Sequence, residues 1–349
     1  MKKILLIIWL VVAAELTYAQ PRFTVSGYFR DAATGETLIG ASLSANAKTK
    51  GALSNQYGFY SLTLAQGTYN FSASFVGYLS QQIKLELTKD TVIDFSLLSA
   101  AKLTEEVVVT ARRRENNVRS SQMGKVNLPI EQIKSIPAFL GEVDLLKVVQ
   151  LLPGIRNAGE GSAGIYVRGG GPDQNLIMLD DAVVYNTGHL FGFFSIFNSD
   201  AIKNVSLIKG GMPAQYGGRL SSVLDISMKE GNNQEYQFEG GLGLIASRFS
   251  LQGPIKKDKS SFIISARRTY VDAVTKPFVK TTSQFYGSGY YFYDLNAKIN
   301  YQFGSKDRLY LSGYFGRDVF DFVNGRQSLD VNIPWGNATG TLRWNHVFN

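Results

Sequence analysis

Cysteine is absent from the 349 residues, and histidine occurs only twice, as His189 and His346. Without cysteine the chain has no disulfide bond, no thiolate metal site and no cysteine nucleophile. Two histidines so far apart provide no His-based metal motif, and no His-x-x-Glu pair exists on which zinc hydrolysis could depend. We therefore predict no catalytic residue, no metal site and no cofactor, and we expect that the protein is not an enzyme.

Long apolar runs are missing beyond the N-terminus. Residues 1–20, MKKILLIIWLVVAAELTYAQ, start with two lysines, continue with an apolar run over 4–14 and end in small residues. This pattern is typical of a secretory signal peptide, and we predict cleavage near Ala19 or Gln20; an N-terminal membrane anchor is the alternative. No later segment has about 18 consecutive apolar residues, so no transmembrane helix is predicted.

Glycine and aromatic residues are abundant, with 35 glycines, 18 tyrosines and 22 phenylalanines. This composition favours a mainly β architecture with many turns, and the length suits about two or three domains. The net charge of +8 is spread along the chain, apart from the run Arg112–Arg114. Scattered charge of this kind does not favour nucleic acid as a partner.

Residues 21–99 contain strand-length runs separated by the turn signals ATGE, NQYG and AQGT. The spacing predicts a small antiparallel β-sandwich of about seven strands. The patterns VSG…TGE.L.GA, S.QYGFYSL.L..GTY and S.VGY resemble the carboxypeptidase regulatory-like domain. This resemblance implies an Ig-like or prealbumin-like sandwich without peptidase activity, and we expect a periplasmic spacer or docking module.

The segment that follows, LTEEVVVTARRR at 103–114, places three valines between acidic and basic residues. An extended apolar segment beside a domain can add a strand to the sheet of a partner. The segment resembles a TonB box, through which an outer-membrane receptor pairs with the periplasmic energy transducer; the alternative is a last strand of the sandwich. We predict a linker over 100–128 that contains the box Glu105, Glu106, Val107, Val108, Val109, Thr110 and Ala111.

The region 129–231 combines helix and strand signals. LLKVVQLLPG at 145–154 has apolar residues at helical spacing and ends in Pro-Gly, which predicts a short helix. Strands are predicted at 164–168, 175–179, 205–209 and 222–228, with a helix start just before the third. The ordered pairs RG, DD, KG and YG resemble a TonB-dependent receptor plug, which implies an α+β domain; Asp181 stands where glycine is usual, and RLSSVLDI replaces a glycine-rich run. The motif residues are Arg168, Gly169, Asp180, Lys209, Gly210, Tyr216 and Gly217.

A loop of this predicted plug supplies the candidate ligand-facing residues, with contacts to a surrounding barrel as the alternative role. RGGG at 168–171 is not followed by Lys-Ser/Thr, so a phosphate cradle is not predicted. Asp180 and Asp181 are expected next to each other on a strand, where they would point to opposite faces and could not form a catalytic pair. The ligand-facing candidates are Arg168, Asp173, Gln174 and Asn175.

Beyond Gly231 the sequence alternates between apolar and polar residues. In YYFYDLNAKINYQFG, one face carries tyrosine, leucine and isoleucine while the other carries aspartate, lysine and asparagine. Aromatic-flanked segments of about ten such residues are typical of transmembrane β-strands, although a water-soluble sheet also alternates. About five strands are predicted, at 237–252, 259–270, 289–303, 307–317 and 338–349.

The predicted fold is therefore mainly β, with a sandwich, an α+β plug and the first antiparallel strands of an incomplete barrel. A plugged transporter has about 22 strands, so we expect the N-terminal part of a longer receptor or a truncated gene product. The resemblance implies an outer-membrane receptor, with its N-terminal domain in the periplasm, that takes up a siderophore, cobalamin, oligosaccharide or peptide. Implied partners are a TonB-type transducer, outer-membrane lipid and the ligand, with a surface lipoprotein left open. The alternative is a non-transporting cell-surface binding or signalling module.

Overall fold

The computed structural model describes residues 21–46, 50–100, 124–136, 141–159, 162–284, 286–304, 306–324 and 329–348. The predicted signal peptide and TonB box lie outside these residues. The chain divides into two compact units, of which the first contains strands β1–β8 and the second contains all later elements.

The first unit is the predicted sandwich, built from eight strands rather than about seven. One sheet has the order β4-β1-β7 with β8 also paired to β1, and the other has the order β3-β2-β5-β6. The expectation of purely antiparallel pairing is wrong, because β7 and β8 both run parallel to β1. The inward faces bury Phe29, Tyr60, Phe71 and Phe95 in one core. The strands are β1 Arg22–Asp31, β2 Ser42–Ala45, β3 Lys50–Leu53, β4 Phe59–Ala65, β5 Gly67–Ser74, β6 Gln81–Leu87, β7 Thr91–Val92 and β8 Phe95–Leu97.

The second unit begins with the predicted α+β domain, which we call the plug. Its five-stranded sheet has the order β13-β12-β17-β16-β9, with β12 and β17 parallel and the other pairs antiparallel. Two short hairpins, β10–β11 and β14–β15, flank this sheet. The elements are β9 Lys125–Pro129, α1 Ile130–Lys134, α2 Leu145–Gln150, β10 Ile155–Asn157, β11 Ile165–Val167, β12 Asn175–Leu179, β13 Ala182–Val183, β14 Gly188–His189, β15 Phe194–Ser195, β16 Ile202–Ile208 and β17 Ser222–Met228.

The helix α2 confirms the helix predicted at 145–154. The Asp144 carboxylate caps its N-terminus by accepting the Lys147 N–H, and the apolar face buries Leu145, Leu146, Val148 and Val149. The helix start predicted before residue 205 is wrong. Residues 202–208 form β16 instead, because β17 on one side and β9 on the other take up their backbone hydrogen bonds. Since β9 pairs with β16, the plug sheet begins at Lys125, four residues before the predicted domain start.

The chain then forms a six-stranded antiparallel sheet, which we call the strand wall. Each strand pairs with the next in the order β18 to β23, and the sheet is open across the described residues. The region predicted as one strand at 237–252 is two strands that turn at 243–245, where the Gly243 N–H donates to the Ala246 carbonyl. The strands are β18 Gln237–Leu242, β19 Ala246–Lys256, β20 Ser260–Thr269, β21 Gly289–Gln302, β22 Asp307–Asn324 and β23 Leu329–His346, with α3 Val271–Thr275 between β20 and β21.

The strand wall exposes its apolar face and buries its polar face, the opposite of a water-soluble sheet. Along β21, Leu295 and Ile299 are 44% and 45% exposed, whereas Asp294 and Lys298 are 2% and 3% exposed. The polar face is the buried one because it packs against the plug. A water-soluble sheet buries its apolar face, so that alternative is wrong and the mainly β fold with barrel-type strands is confirmed. In the part of the chain that the structure describes, none of the helices is both long enough and apolar enough to span a membrane.

Candidate functional site

The RG and KG motifs of the plug lie side by side. Arg168 and Gly169 form the turn after β11, with left-handed φ angles of 51° and 88°. A Cβ on Gly210 would lie 2.8 Å from Arg168 Nη1, so the guanidinium rests directly on the Gly210 backbone. Lys209 Nζ donates a 2.7 Å hydrogen bond to the carbonyl of Pro153, while burial and the nearby Arg168 charge lower the pKa of Lys209. Glycine suits position 210 because its φ of 143° is one that other residues rarely adopt.

The DD motif is a turn, which corrects its placement on a strand. Asp180 and Asp181 join β12 to β13 with φ angles of 47° and 71°, a left-handed conformation that aspartate and asparagine tolerate better than most residues. The departure from glycine at 181 is explained by an ion pair, because the Asp181 carboxylate lies 2.9 Å from Arg343 Nη1 on β23. Asp180 is buried, and its Oδ1 accepts the Met228 N–H at 2.9 Å.

The YG motif and the RLSSVLDI run form side-chain hydrogen bonds in and around β17 of the plug sheet. The Tyr216 hydroxyl donates to Asp225 Oδ2 at 3.0 Å, and burial together with the Asp225 charge raises the pKa of Tyr216 to about 12. The two serines that replace the glycine-rich run are both donors. Ser221 Oγ donates to the Val167 carbonyl and Ser222 Oγ to Asn175 Oδ1, each at 2.7 Å.

The four ligand-facing candidates do not share one environment. Arg168 lines an open cavity of about 640 Å³ together with Gly154, Ile155, Arg156, Asn157, Tyr166 and Gly169. Asp173 and Gln174 are exposed on the neighbouring turn. Asn175 is buried, and its amide donates to the carbonyls of Ile165 and Gly171, so its side chain serves the plug interior.

The most extensive polar site is the interface between the plug and the strand wall. Carboxylates of the plug and of the segment leading into β18 face lysine and arginine side chains of the wall. Charges removed from water require such partners, because an unpaired buried charge is strongly destabilising. The pairs are Asp180–Lys298 at 2.7 Å, Asp181–Arg343 at 2.9 Å, Asp200–Arg248 at 2.9 Å, Glu142–Arg267 at 3.6 Å and Glu230–Arg308 at 3.3 Å.

Asp200 illustrates how the interface sets protonation. Burial alone raises the pKa of this carboxyl, but a 2.9 Å hydrogen bond from Lys134, the Lys134 charge and the Arg248 charge outweigh it. The pKa of Asp200 is therefore lowered, and the residue remains a carboxylate well into the acidic range. The plug is held to the wall by charges that persist at neutral pH.

At the hairpin β14–β15 the plug supplies the cationic side chain, His189, and the strand wall supplies the carboxylates, Asp294 and Asp318. His189 is 1% exposed and its ring lies 3.9 Å from the parallel ring of Phe292. Nδ1 is 2.7 Å from Asp318 Oδ2 and Nε2 is 2.8 Å from Asp294 Oδ1. Burial lowers the pKa of His189, but the Asp294 charge and the hydrogen bonds to both carboxylates outweigh it and raise the pKa.

The sequence singled out Asp180 and Asp181 as motif residues, but none of the ion pairs of this interface was predicted. His189 was considered only as a metal ligand, and the charged residues of the alternating strands only as a polar face. The sequence did contain a signal for these pairs. Charged residues on the face of a strand that points into the barrel lumen predict partners of opposite charge there. Among the described residues no cluster of three or more potential metal ligands occurs.

Two domain families match the chain. The model of the CarboxypepD_reg-like domain matches residues 25–109, and that of the TonB-dependent Receptor Plug Domain matches residues 128–222. The first match extends ten residues past the predicted end of the sandwich at 99 and takes in part of the predicted TonB box.

Proteins similar to this chain include receptors and transporters. The TonB-dependent receptor SusC of Bacteroides thetaiotaomicron is 27% identical over 245 residues, which cover 67% of this chain and 24% of SusC. The chain thus spans about a quarter of the length of this curated relative. The outer membrane transporter YddB of Escherichia coli is similar with a TM-score of 0.46 and 15% identity, covering 63% of this chain and 36% of that one. The ferric enterobactin receptor PfeA of Pseudomonas aeruginosa has a TM-score of 0.45 and 18% identity, covering 65% and 39%.

The plug match and the similarity to SusC are to receptors of the outer membrane, so the prediction that the chain is not an enzyme is confirmed. The order of the elements is also the predicted one, with a β domain, a plug with short helices and an antiparallel sheet of barrel strands. The chain thus contains a CarboxypepD_reg-like domain followed by a TonB-dependent receptor plug domain, and it is similar in sequence to a TonB-dependent receptor.

Proposed function

We propose that the chain acts in TonB-dependent uptake of a scarce ligand across the outer membrane, with the plug as the movable element. The observation that carries this proposal is the strand wall, whose apolar face is exposed and whose polar face is occupied by the plug. Lipid is the solvent that suits the outer face, and a lumen filled by a polar domain suits the inner one. The ligand class is a siderophore, cobalamin, an oligosaccharide or a peptide.

The organisation that we propose follows the domain limits predicted from the sequence, with the plug extended to Lys125. Residues 1–20 are a signal peptide cleaved near Ala19 or Gln20, 21–99 a periplasmic sandwich, 100–124 a linker, 125–231 the plug and 232–349 barrel strands. The described turns at 243–245 and 257–259 are both short and lie at opposite ends of the strand wall, whereas the connection between β20 and β21 is longer and contains α3. Outer-membrane barrels have their longer loops on the extracellular side, so we place the β20–β21 connection there.

The TonB box is proposed at Glu105–Ala111. In this mechanism the transducer adds these residues to its own sheet, and main-chain hydrogen bonds transmit the pulling force. The force then acts on the plug through Lys125 at the start of β9. Ligand bound to Arg168, Asp173 and Gln174 would reach the periplasm once the plug has moved; Asn175 is left out of this set because its amide is used inside the plug.

A single-cysteine experiment tests the box, since the 349 residues contain no other thiol. Val108→Cys in the full protein should form a disulfide with a cysteine placed on the pairing strand of the transducer's periplasmic domain. Val92→Cys is the matched control, because Val92 is 77% exposed on the sandwich outside the box and should not cross-link. Equal cross-linking of the two variants would refute the proposed box.

A proline substitution tests whether the box pairs with the transducer through backbone hydrogen bonds or is merely close to it. Adding Val107→Pro to the Val108→Cys variant removes a backbone N–H and should abolish the cross-link, whereas Val107→Ala should preserve it. If the segment is instead the last strand of the sandwich, the proline variant should destabilise the sandwich and the alanine variant should not cross-link either. That result would favour the alternative function, a non-transporting binding module of sandwich and plug.

Membrane location is tested separately with an antibody against residues 22–99. We expect the protein in the outer-membrane fraction and a shift in its mobility on a gel when the sample is boiled, as closed barrels show. Soluble material without such a shift would contradict uptake and leave the binding module as the function.

A further inference from the structure

A neutral imidazole at His189 could donate a hydrogen bond to only one of the two carboxylates that it contacts. Both ring nitrogens face carboxylate oxygens, Nδ1 that of Asp318 and Nε2 that of Asp294, at 2.7 and 2.8 Å. A carboxylate accepts hydrogen bonds and donates none, and a neutral imidazole carries only one N–H. The imidazolium, with a proton on each nitrogen, donates to both carboxylates and satisfies both contacts.

The charge balance around His189 leads to the same conclusion. Arg267 from β20 donates to Asp294 Oδ2 at 2.6 Å and also faces Glu142, so Arg267 alone cannot neutralise Asp294 and Asp318; His189, Arg267 and the two aspartates are all nearly inaccessible to water. A neutral His189 would leave one buried carboxylate uncompensated, which is strongly unfavourable. The other titratable groups that face this cluster are Tyr290 on β21, Tyr314 on β22 and Glu142, which lies 3.6 Å from Arg267.

The other buried plug-to-wall pairs have the opposite polarity and a different response to pH. They place plug carboxylates against lysine or arginine, groups whose charge does not change near neutral pH. Histidine is the side chain whose charge changes in that range. The described interface therefore has one buried contact whose strength depends on pH between mildly acidic and mildly alkaline conditions.

We call residues 186–198 the latch segment. On both sides of His189, this segment makes further contacts with the strand wall. The Leu190 N–H donates to Asp318 Oδ1 at 3.1 Å, the Ser195 carbonyl accepts from Arg267 at 2.9 Å, and Phe191 lies 5.2 Å from the ring of Trp335. Leu190 and Phe191 have φ angles of 50° and 54°, which bulky residues rarely adopt. Such strain persists only while surrounding contacts hold it, and it is typical of switch regions.

We propose that His189 is a protonation-dependent latch, which in its charged form holds the latch segment to Asp294 and Asp318 and releases it when the proton is lost. The inference rests on the proposed function, since it assigns to one plug segment the contact that must break when the plug moves. The raised pKa of His189 supports it. A raised pKa means that the contact is fully present below the ordinary value of about 6.5 and is lost as the pH rises through the folded value.

Accessibility of a thiol at position 195 tests the latch in the full protein in its membrane. Ser195 is 1% exposed, pairs with Gly188 across the hairpin, and its hydroxyl has no hydrogen-bond partner among the described residues, so cysteine should fit. The rate of maleimide labelling of S195C is measured between about pH 6 and about pH 9. Each rate is divided by that of V92C, whose thiol is exposed in the sandwich, to remove the intrinsic pH dependence of the reagent.

We expect the normalised rate of S195C to rise at least about tenfold over this range, because the charged fraction falls tenfold per pH unit above the pKa. Asp318→Asn in the same background should abolish the rise. Its amide donates to Nδ1 of a neutral imidazole, whose Nε2–H still reaches Asp294, so the latch stays closed. His189→Gln should label fast at every pH, since its carbonyl oxygen would face a carboxylate.

A normalised rate of S195C that changes by less than about twofold would overturn the latch, and so would an undiminished rise in the Asp318→Asn variant. If His189→Gln fails to reach the membrane, the Asp318→Asn comparison still decides the question. The assay requires neither transducer nor ligand. A failed latch with intact cross-linking at position 108 therefore rejects the latch alone, and a failed cross-link with intact pH dependence rejects the TonB box alone.

Discussion

The ion pair between Asp180 and Lys298 should control how firmly the plug is attached to the strand wall. The two side chains are 4% and 3% exposed, and their charged atoms are 2.7 Å apart. Asp180→Asn is the most specific perturbation. Asparagine tolerates the φ of 47° at this position and keeps an oxygen for the Met228 N–H, so the substitution removes the charge and the acceptor that faces Lys298 while the turn is retained.

The magnitude follows from the distance and the burial. Two unit charges 2.7 Å apart attract by about 6 kcal/mol at an effective dielectric constant of about 20, and desolvation offsets much of that in the intact pair. Removing one partner leaves Lys298 charged and buried, which typically costs about 3–5 kcal/mol. We therefore expect Asp180→Asn to lower the free energy of unfolding by about 3 kcal/mol.

The assay is a urea titration of the protein in detergent micelles, followed by the emission of Trp335 with Trp344 replaced by phenylalanine in every variant. This ring lies 5.2 Å from that of Phe191 in the plug, so its environment changes when the plug leaves the wall. Lys298→Met alone should cost a similar amount, because it leaves the Asp180 carboxylate unpaired. The double variant should cost much less than the sum of the two, since it removes both charges.

Asp181→Asn is the matched control. It changes the neighbouring residue in the same turn, where the carboxylate pairs with Arg343 but is 37% exposed. Exposed pairs contribute about 0–1 kcal/mol, so the control should be nearly neutral. A loss below about 1 kcal/mol for Asp180→Asn, or strict additivity with Lys298→Met, would refute the account of the plug as an electrostatically anchored domain.

Three further outcomes are expected. Stability should fall as the pH drops below about 4 through the lowered pKa of Asp200, and Asp200→Asn should flatten that dependence in thermal unfolding measured against pH. Gly231→Ala should reduce assembly in the outer-membrane fraction, because its φ is 87° and a Cβ would lie 2.3 Å from a backbone oxygen; Gly217→Ala, with open space around it, is the control that should assemble normally. Tyr216→Phe should lower the free energy of unfolding by about 1.5–3 kcal/mol through loss of its hydrogen bond to Asp225, and an unchanged urea midpoint would contradict that bond.

Several features of this protein could be predicted from local sequence patterns. Alternation along β21 indicated a strand with one apolar face, and the spacing of apolar residues at 145–154 indicated the helix α2, because side-chain direction repeats every two residues in a strand and every 3.6 in a helix. Turn signals similarly marked the sandwich. The ordered glycine motifs identified the plug, since turns that require left-handed φ angles restrict the residues that fit.

The turns of the plug mark the limit of local reasoning. Asp180 and Asp181 were placed on a strand because the pattern around them is apolar and extended, whereas two left-handed residues close a hairpin there. The helix expected before β16 also did not form. In both cases pairing between strands far apart in sequence decided the local conformation, and local preference was the weaker influence.

The role of His189 was decided by tertiary structure alone. It meets Asp294 and Asp318 across separations of 105 and 129 residues, and none of the three is distinctive within its own segment. Sequence alternation determined that β21 and β22 have a polar face, because that property belongs to each strand by itself. Which charges meet on that face depends on the register between strands and on how the plug packs against them, and only the folded chain fixes those distances.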